Sequence, residues 1–112
     1  MAAGFFIAYF ADRDDQGAAA LYVGNGMIVG MDNGGVRYDG GYAVLPDGSL
    51  QGQVVMRVGV ATQLITGDPL LPGQAPKVSF RLPPNFANGQ VIPFTIGGKP
   101  VQTRFEKLRD LP

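Results

Sequence analysis

Apolar and polar residues alternate with a period of two along most of this chain. Leu50, Gly52, Val54, Met56 and Val58 fall on one face, with Gln51, Gln53, Val55 and Arg57 on the other. Val78, Phe80 and Leu82 alternate with Lys77, Ser79 and Arg81, and Val36, Tyr38, Gly40, Tyr42 and Val44 share a face opposite Arg37 and Asp39. Strands with one buried and one wet face have this period, because successive side chains point to opposite sides of a sheet.

Turn signals separate these runs. Asn25-Gly26, between Leu21-Tyr22-Val23 and Met27-Ile28-Val29, predicts a two-residue hairpin whose central positions both need φ > 0. Further turns are expected at Asn33-Gly34-Gly35, Pro46-Asp47-Gly48, Asn88-Gly89 and Gly97-Gly98. The resulting strands are 4–10, 18–24, 27–32, 35–45, 49–59, 77–82, 90–96 and 101–108. Eight antiparallel strands can close into a small up-and-down barrel and so remove exposed edges. Periodicity alone leaves a flattened sandwich open. Residues 11–17 read as a polar loop, 60–76 as a long connection, and Phe105 to Leu111 as a stretch that could end in a short helical turn.

Composition narrows the class. The 112 residues suit one domain with one modest core, drawn from a 46% hydrophobic chain without tryptophan. The 17 glycines and 9 prolines are dispersed, as many tight turns require. Formal net charge is zero and no basic run occurs, which argues against direct nucleic-acid binding and against attachment to anionic lipid. The start lacks a basic, then long apolar signal pattern, and no run approaches the roughly 20 apolar residues of a membrane helix. With no cysteine, a cytoplasmic location is the expectation.

The inventory for catalysis is poor. There is no His and no Cys, so the usual general base, thiol nucleophile and zinc ligands are missing. Ser49 stands beside a turn, and Glu106 is the one glutamate. No enzyme activity, metal or cofactor is therefore expected. Asp12-Arg13-Asp14-Asp15-Gln16-Gly17 begins like a calcium loop, but Val23 occupies the twelfth position where a bidentate Glu is required, so a solvated hairpin loop is the reading. Gly24, Gly26 and Gly30 lack both the spacing and the lysine of a phosphate loop.

Two groups remain as binding candidates. Phe5, Tyr9, Tyr38, Tyr42, Phe80, Phe94 and Phe105 are expected to line the barrel interior, either filling it or enclosing a small apolar ligand. Leu64, Ile65, Leu70 and Leu71, in a proline-containing loop, cannot all bury locally; they should cap the barrel or meet a partner subunit.

Gly26, Ile28, Gly30, Asp32, Gly34, Tyr38, Gly40 and Tyr42 form a spaced pattern, followed by Asp47-Gly48-Ser49-Leu50-Gln51-Gly52-Gln53-Val54. On these residues the segment 25–58 resembles the GrlR-like proteins, negative regulators of type III secretion and their relatives. Gly4-Phe5-Phe6 and Phe105-Glu106-Lys107-Leu108-Arg109-Asp110-Leu111 also fit, whereas 60–100 is only weakly similar. The resemblance implies a lipocalin-like barrel, a homodimer, and regulation by binding another protein. It also implies an acidic surface turn facing a basic activator; here that turn is Pro46-Asp47-Gly48, with a single acid. The leading expectation is thus a non-enzymatic regulatory protein, the alternative a lipocalin-like carrier.

Overall fold

The computed structural model describes residues 3–12 and 15–111. Among the described residues ten strands occur in the order β1 (Gly4–Asp12), β2 (Asp15–Gly24), β3 (Met27–Asp32), β4 (Arg37–Val44), β5 (Leu50–Arg57), β6 (Thr62–Gln63), β7 (Pro69–Leu70), β8 (Lys77–Leu82), β9 (Ile92–Ile96) and β10 (Lys99–Asp110). Eight of them form one antiparallel sheet in the order β8-β5-β4-β3-β2-β1-β10-β9, and β6 and β7 make a separate small hairpin. The sheet coils until its end strands, β8 and β9, lie against each other without a hydrogen-bonded ladder, so the barrel is nearly closed.

The expected hairpins are present. Asn25 and Gly26 take φ 53° and 75°, the doubly positive turn that their side chains tolerate. Alternation then places Phe6, Ala8 and Phe10 of β1, Ala19, Leu21 and Val23 of β2, and Val101, Thr103 and Phe105 of β10 on the inner side. Two apolar clusters result: Phe6, Ile28, Leu50, Leu82, Phe86 and Phe105 at one end, and Val36, Met56, Val58, Leu70 and Val78 at the other.

Coiling depends on three inward glycines on successive strands. A β-carbon at Gly30 would lie 2.1 Å from the Ala20 carbonyl oxygen, one at Gly40 2.0 Å from that of Gln53, and one at Gly52 1.9 Å from that of Gly41. No side chain fits where backbones approach so closely. Large residues stand beside them in register: Tyr38 opposite Gly30, Ile28 opposite Gly40, and Tyr42 and Phe80 flanking Gly52. The sheet bends over the glycines, and the neighbouring side chains fill the space this leaves.

Two expectations are corrected. Residues 11–17 are not a loop, because β1 continues to Asp12 and β2 starts at Asp15, with Ala11 paired to Gln16 and Asp12 to Asp15. Arg13 and Asp14, in the same segment, lie outside the described residues. Nor does the chain end in a helical turn, since β10 runs to Asp110 and pairs with β1 from Gly4 to Ala11. Without that pairing β1 would be an open edge, and Phe105 would lose its contacts with Phe86 and Phe94. A register shift between Phe5 and Phe6 leaves Leu108 as the extra residue of a bulge.

One inner position is chemically mismatched. Thr103 is 1% exposed, sits between Phe10 and Ile92, and its hydroxyl has no hydrogen-bond partner among the described residues. Replacing it with the isosteric Thr103→Val should raise stability by about 1 kcal/mol, read as a higher urea midpoint at unchanged slope. Gly40→Ala should act in the opposite direction, lowering stability by roughly 1–3 kcal/mol because its β-carbon has no space. Equal melting of Gly40→Ala and the natural chain would overturn the role given to the glycine diagonal.

Candidate functional site

Outside, the barrel has two unlike surfaces. Over β5 and β8 the outward residues are mostly polar: Gln51, Gln53 and Arg57, with half-buried Val55 among them, and Lys77, Ser79 and Arg81. Over β1 to β3 they are apolar and lie in rows across the strands: Phe5, Tyr22 and Val29; then Ile7, Ala20 and Met31; then Tyr9 and Ala18. Phe5 and Val29 are each 43% exposed and Met31 is 50% exposed, which is costly for side chains of this size. Phe5 meets Tyr22 edge-on at 5.7 Å between ring centres, so the patch is internally packed.

Charges border this patch on both sides. On β10, Arg109 pairs with Phe5, Glu106 with Ile7 and Arg104 with Tyr9. On β4, Asp39 pairs with Val29 and Arg37 with Met31. The Tyr9 hydroxyl donates to Glu106 at 3.3 Å. An apolar centre with a charged rim is the usual plan of a protein-contact surface.

The expected interior set divides. Tyr38, Phe80, Phe94 and Phe105 line an internal cavity of about 90 Å³, and Tyr42 packs half-buried against the first cluster. Phe5 and Tyr9 instead face outward, and Phe6, Ala8 and Phe10 take the inner positions. The reason is that Phe5-Phe6-Ile7-Ala8-Tyr9-Phe10 is apolar on both faces, so period two cannot fix its phase. Phe86 was not anticipated either. It lies in the turn after Pro83-Pro84, yet it is buried between Phe6 and Phe105, and a lone aromatic among turn residues is the signal that could have marked it.

Loop 60–76 caps the barrel. Leu70 is 1% exposed among Val36, Met56 and Val78, Leu64 packs against the same cluster, and Ile65 is half-buried; Leu71, like Val60 at the start of the loop, faces outward. The tip is tied to β10, since Lys99 Nζ lies 3.2 Å from Asp68 Oδ1 and donates to the Thr66 carbonyl at 3.3 Å. Beneath this cap a second pocket of about 240 Å³ opens at the barrel mouth, among the described residues between Asp15-Gln16-Gly17 at the start of β2, the β3–β4 turn and Gln63-Leu64-Ile65.

Asp32 holds the β3–β4 turn. One oxygen accepts the N–H groups of Gly34 and Val36, both at 2.9 Å, and the other accepts the Tyr38 hydroxyl at 2.8 Å. Burial and the adjacent carboxylate push the Tyr38 hydroxyl well above the ordinary tyrosine range, so it stays a donor. The residues carrying the family resemblance therefore do structural work: Gly26 turns, Gly30 and Gly40 allow close approach, Asp32 caps the turn around Gly34, and Tyr38 and Tyr42 pack inward. Among the described residues no three acidic groups converge as a metal site would need. Protein-family models, curated proteins and solved structures yield no match to the chain.

The cap has a pH signature. The Thr66 hydroxyl, then Lys99, hold the Asp68 carboxyl below its usual value. A carboxylate with a lowered folded value stabilises the fold above the unfolded value, and that contribution is lost as pH falls through the folded one. Asp68→Ala should therefore lower the melting temperature near neutral pH, and the difference from the natural chain should vanish in strong acid. A gap that persists at about pH 2 would mean that charge is not what Asp68 supplies.

Proposed function

We propose that this protein is a non-enzymatic regulatory barrel of the GrlR-like kind that acts by protein contact, first with a second copy of itself. The observation that carries the reading is the apolar outer face of β1 to β3, with its charged rim. Exposed large side chains arranged in register over three strands add nothing to the interior; they become favourable only when covered.

The rim charges favour self-association. A two-fold axis parallel to β2 lays β2 on β2 and β1 over β3 of the second copy. Tyr22 and Ala20 then meet their own equivalents, and Phe5 and Ile7 lie over Val29 and Met31, the residues level with them in the rows. The same operation lays β10 over β4. It brings Arg109 opposite Asp39, and Glu106 opposite Arg37, of the second copy. Both rim pairs are of opposite sign, as an isologous interface needs, within the roughly 30° twist at which sheets stack.

The acidic turn implied by the resemblance is poorly suited to catching a basic partner. Asp47 Oδ1 accepts the Ser49 N–H at 2.9 Å and Oδ2 lies 3.2 Å from Arg81, so its single charge is already matched. A downstream protein partner would instead meet the barrel elsewhere. A lipid carrier is the less favoured reading, since about 90 Å³ is small beside the roughly 300–1,000 Å³ of ligand pockets.

Light scattering coupled to gel filtration tests the dimer. The natural chain should run at twice the chain mass, and Val29→Glu with Met31→Lys should run as a folded monomer. Arg37→Glu and Glu106→Arg should each weaken association, and the double reversal should restore it at least in part. A monomeric natural chain, or no recovery in the double reversal, would reject this interface.

A further inference from the structure

We infer that the seam between β8 and β9 is a docking site for an extended segment of a partner protein, one in which acidic and aliphatic residues are interleaved. The segment adds a strand to the free edge of β8. This goes beyond the dimer reading and leaves that face open. In the sheet order β8-β5-β4-β3-β2-β1-β10-β9, the seam lies across the barrel from β2 and β3.

Backbone groups along the seam lack partners. The Met56 N–H donates to the Pro76 carbonyl at 2.9 Å, and these two residues are the next pair in the β5–β8 register. Bonded and non-bonded pairs alternate in an antiparallel ladder. Val78, Phe80 and Leu82 therefore bond to β5, while Lys77, Ser79 and Arg81 turn their N–H and C=O groups to the seam. On β9, the two-residue Gly97-Gly98 turn makes Ile96 and Lys99 a bonded pair, so Pro93 and Thr95 face the seam. Pro93 has no N–H to give. Among the described residues, none of these five finds a backbone partner across the seam, and all five are exposed.

The two sides of β8 select the segment. In a strand antiparallel to β8, residues opposite Phe80 and Val78 point inward and those opposite Arg81, Ser79 and Lys77 point outward. Behind the seam, Val78, Phe80 and Leu82 of β8 and Phe94 and Ile96 of β9 line the cavity of about 90 Å³. That volume lies between the roughly 30 Å³ of one water and the roughly 150 Å³ that takes benzene, so it suits one aliphatic side chain. Outside, neither β8 nor β9 carries an acid. Arg81 is matched by Asp47 at 3.2 Å, but Lys77 makes no ion pair among the described residues. An acid opposite Lys77 supplies the missing charge. A second copy cannot: two β8 strands paired about Ser79 set Lys77 against Arg81 twice, like sign on like. Some Cα atoms of β8 and β9 lie within 8 Å, less than the roughly 9.6 Å that a strand laddered on both sides occupies. The segment therefore bonds to β8, and β9 moves outward to admit it.

Two end-blocked peptides test this: Thr-Glu-Val-Thr-Val-Glu-Thr, and the same sequence with Lys for both Glu, each titrated into the full chain and followed by amide NMR. The acidic peptide should bind at least about tenfold more tightly, the factor supplied by turning two cross-strand pairs from like to unlike sign. Shifts should centre on Ser79, Phe80 and Thr95, and the Ser79 and Arg81 amides should gain protection from hydrogen exchange on binding. Ser79→Pro removes a seam-side N–H and no bond to β5, so it should keep the fold and lose at least about tenfold in affinity. Lys77→Glu, at an exposed position, should keep the fold and bring the two peptides level. Affinity should be unchanged in Val29→Glu with Met31→Lys, so the seam is tested whether or not the chain dimerises. Saturation by neither peptide, equal affinities in the natural chain, or shifts centred on β1 to β3 would each overturn the proposal. So would unweakened binding to folded Ser79→Pro, a preference unmoved in Lys77→Glu, or a Ser79 amide already protected in the free chain, the mark of a second copy on this edge.

Discussion

The pairing of β1 with β10 is the contact on which the rest of this molecule depends. A meander from β1 through β5 to β8 is by itself an open sheet with two exposed edges. Gly4 to Ala11 pairing with Gln102 to Asp110 covers the first edge and brings β9 round towards β8. The contact closes a loop of about a hundred residues, so its entropic cost must be offset by what it encloses. Phe105, held on β10, packs on Phe86 and Phe94, and that aromatic set joins the end of the chain to the cluster around Phe6. Bulged at Leu108, the pairing also turns Arg109 outward beside Phe5, which places one of the rim charges.

Closure succeeds because the other strands are free to coil. Inward glycines on β3, β4 and β5 let backbones approach to distances that a β-carbon would forbid, and residues such as Tyr38 and Phe80 occupy the space beside them. The Asp32 carboxylate then locks the β3–β4 turn to the Tyr38 ring. A pattern that looks like a functional motif in sequence is, physically, the apparatus that makes a flat meander curve.

How much of this was legible in the sequence follows from where amphipathic contrast is strong. Over β4, β5 and β8, polar residues alternate with apolar ones, and both strand existence and facing could be read directly. The Asn25-Gly26 turn was legible because its backbone demands admit few residues. Strand β1 has no contrast to read: both faces are apolar, one for the core and one for the exterior, so its phase was invisible until its neighbours were placed. The same ambiguity hides the apolar outer patch, the candidate contact surface, because Phe5 and Tyr9 read equally well as inward residues. The end of β10 is hard to read in the sequence for a related reason. Glu106 to Asp110 is mostly charged and has no strand signature of its own, and only the need of β1 for a partner makes it extended. In loop 60–76 the run of leucines is visible, but the apolar cluster that receives it, Val36, Met56 and Val78, is assembled from strands distant in sequence.

The alanines of the first hairpin link the inside and the outside. Ala8 and Ala19 face each other across β1 and β2, both buried, and both line the cavity. Two larger side chains there would fill it. Ala18 and Ala20 keep the outer side of β2 low between the taller side chains of β1 and β3. Alanine is a weak strand former, so sheet stability alone does not call for three in a row at the centre of a hairpin. Low outer positions let a second sheet approach near the roughly 10 Å spacing of stacked sheets, and low inner ones leave room below the mouth. The small residues of β2 weaken the fold locally, and they leave a low outer face on the sheet and open space inside the barrel.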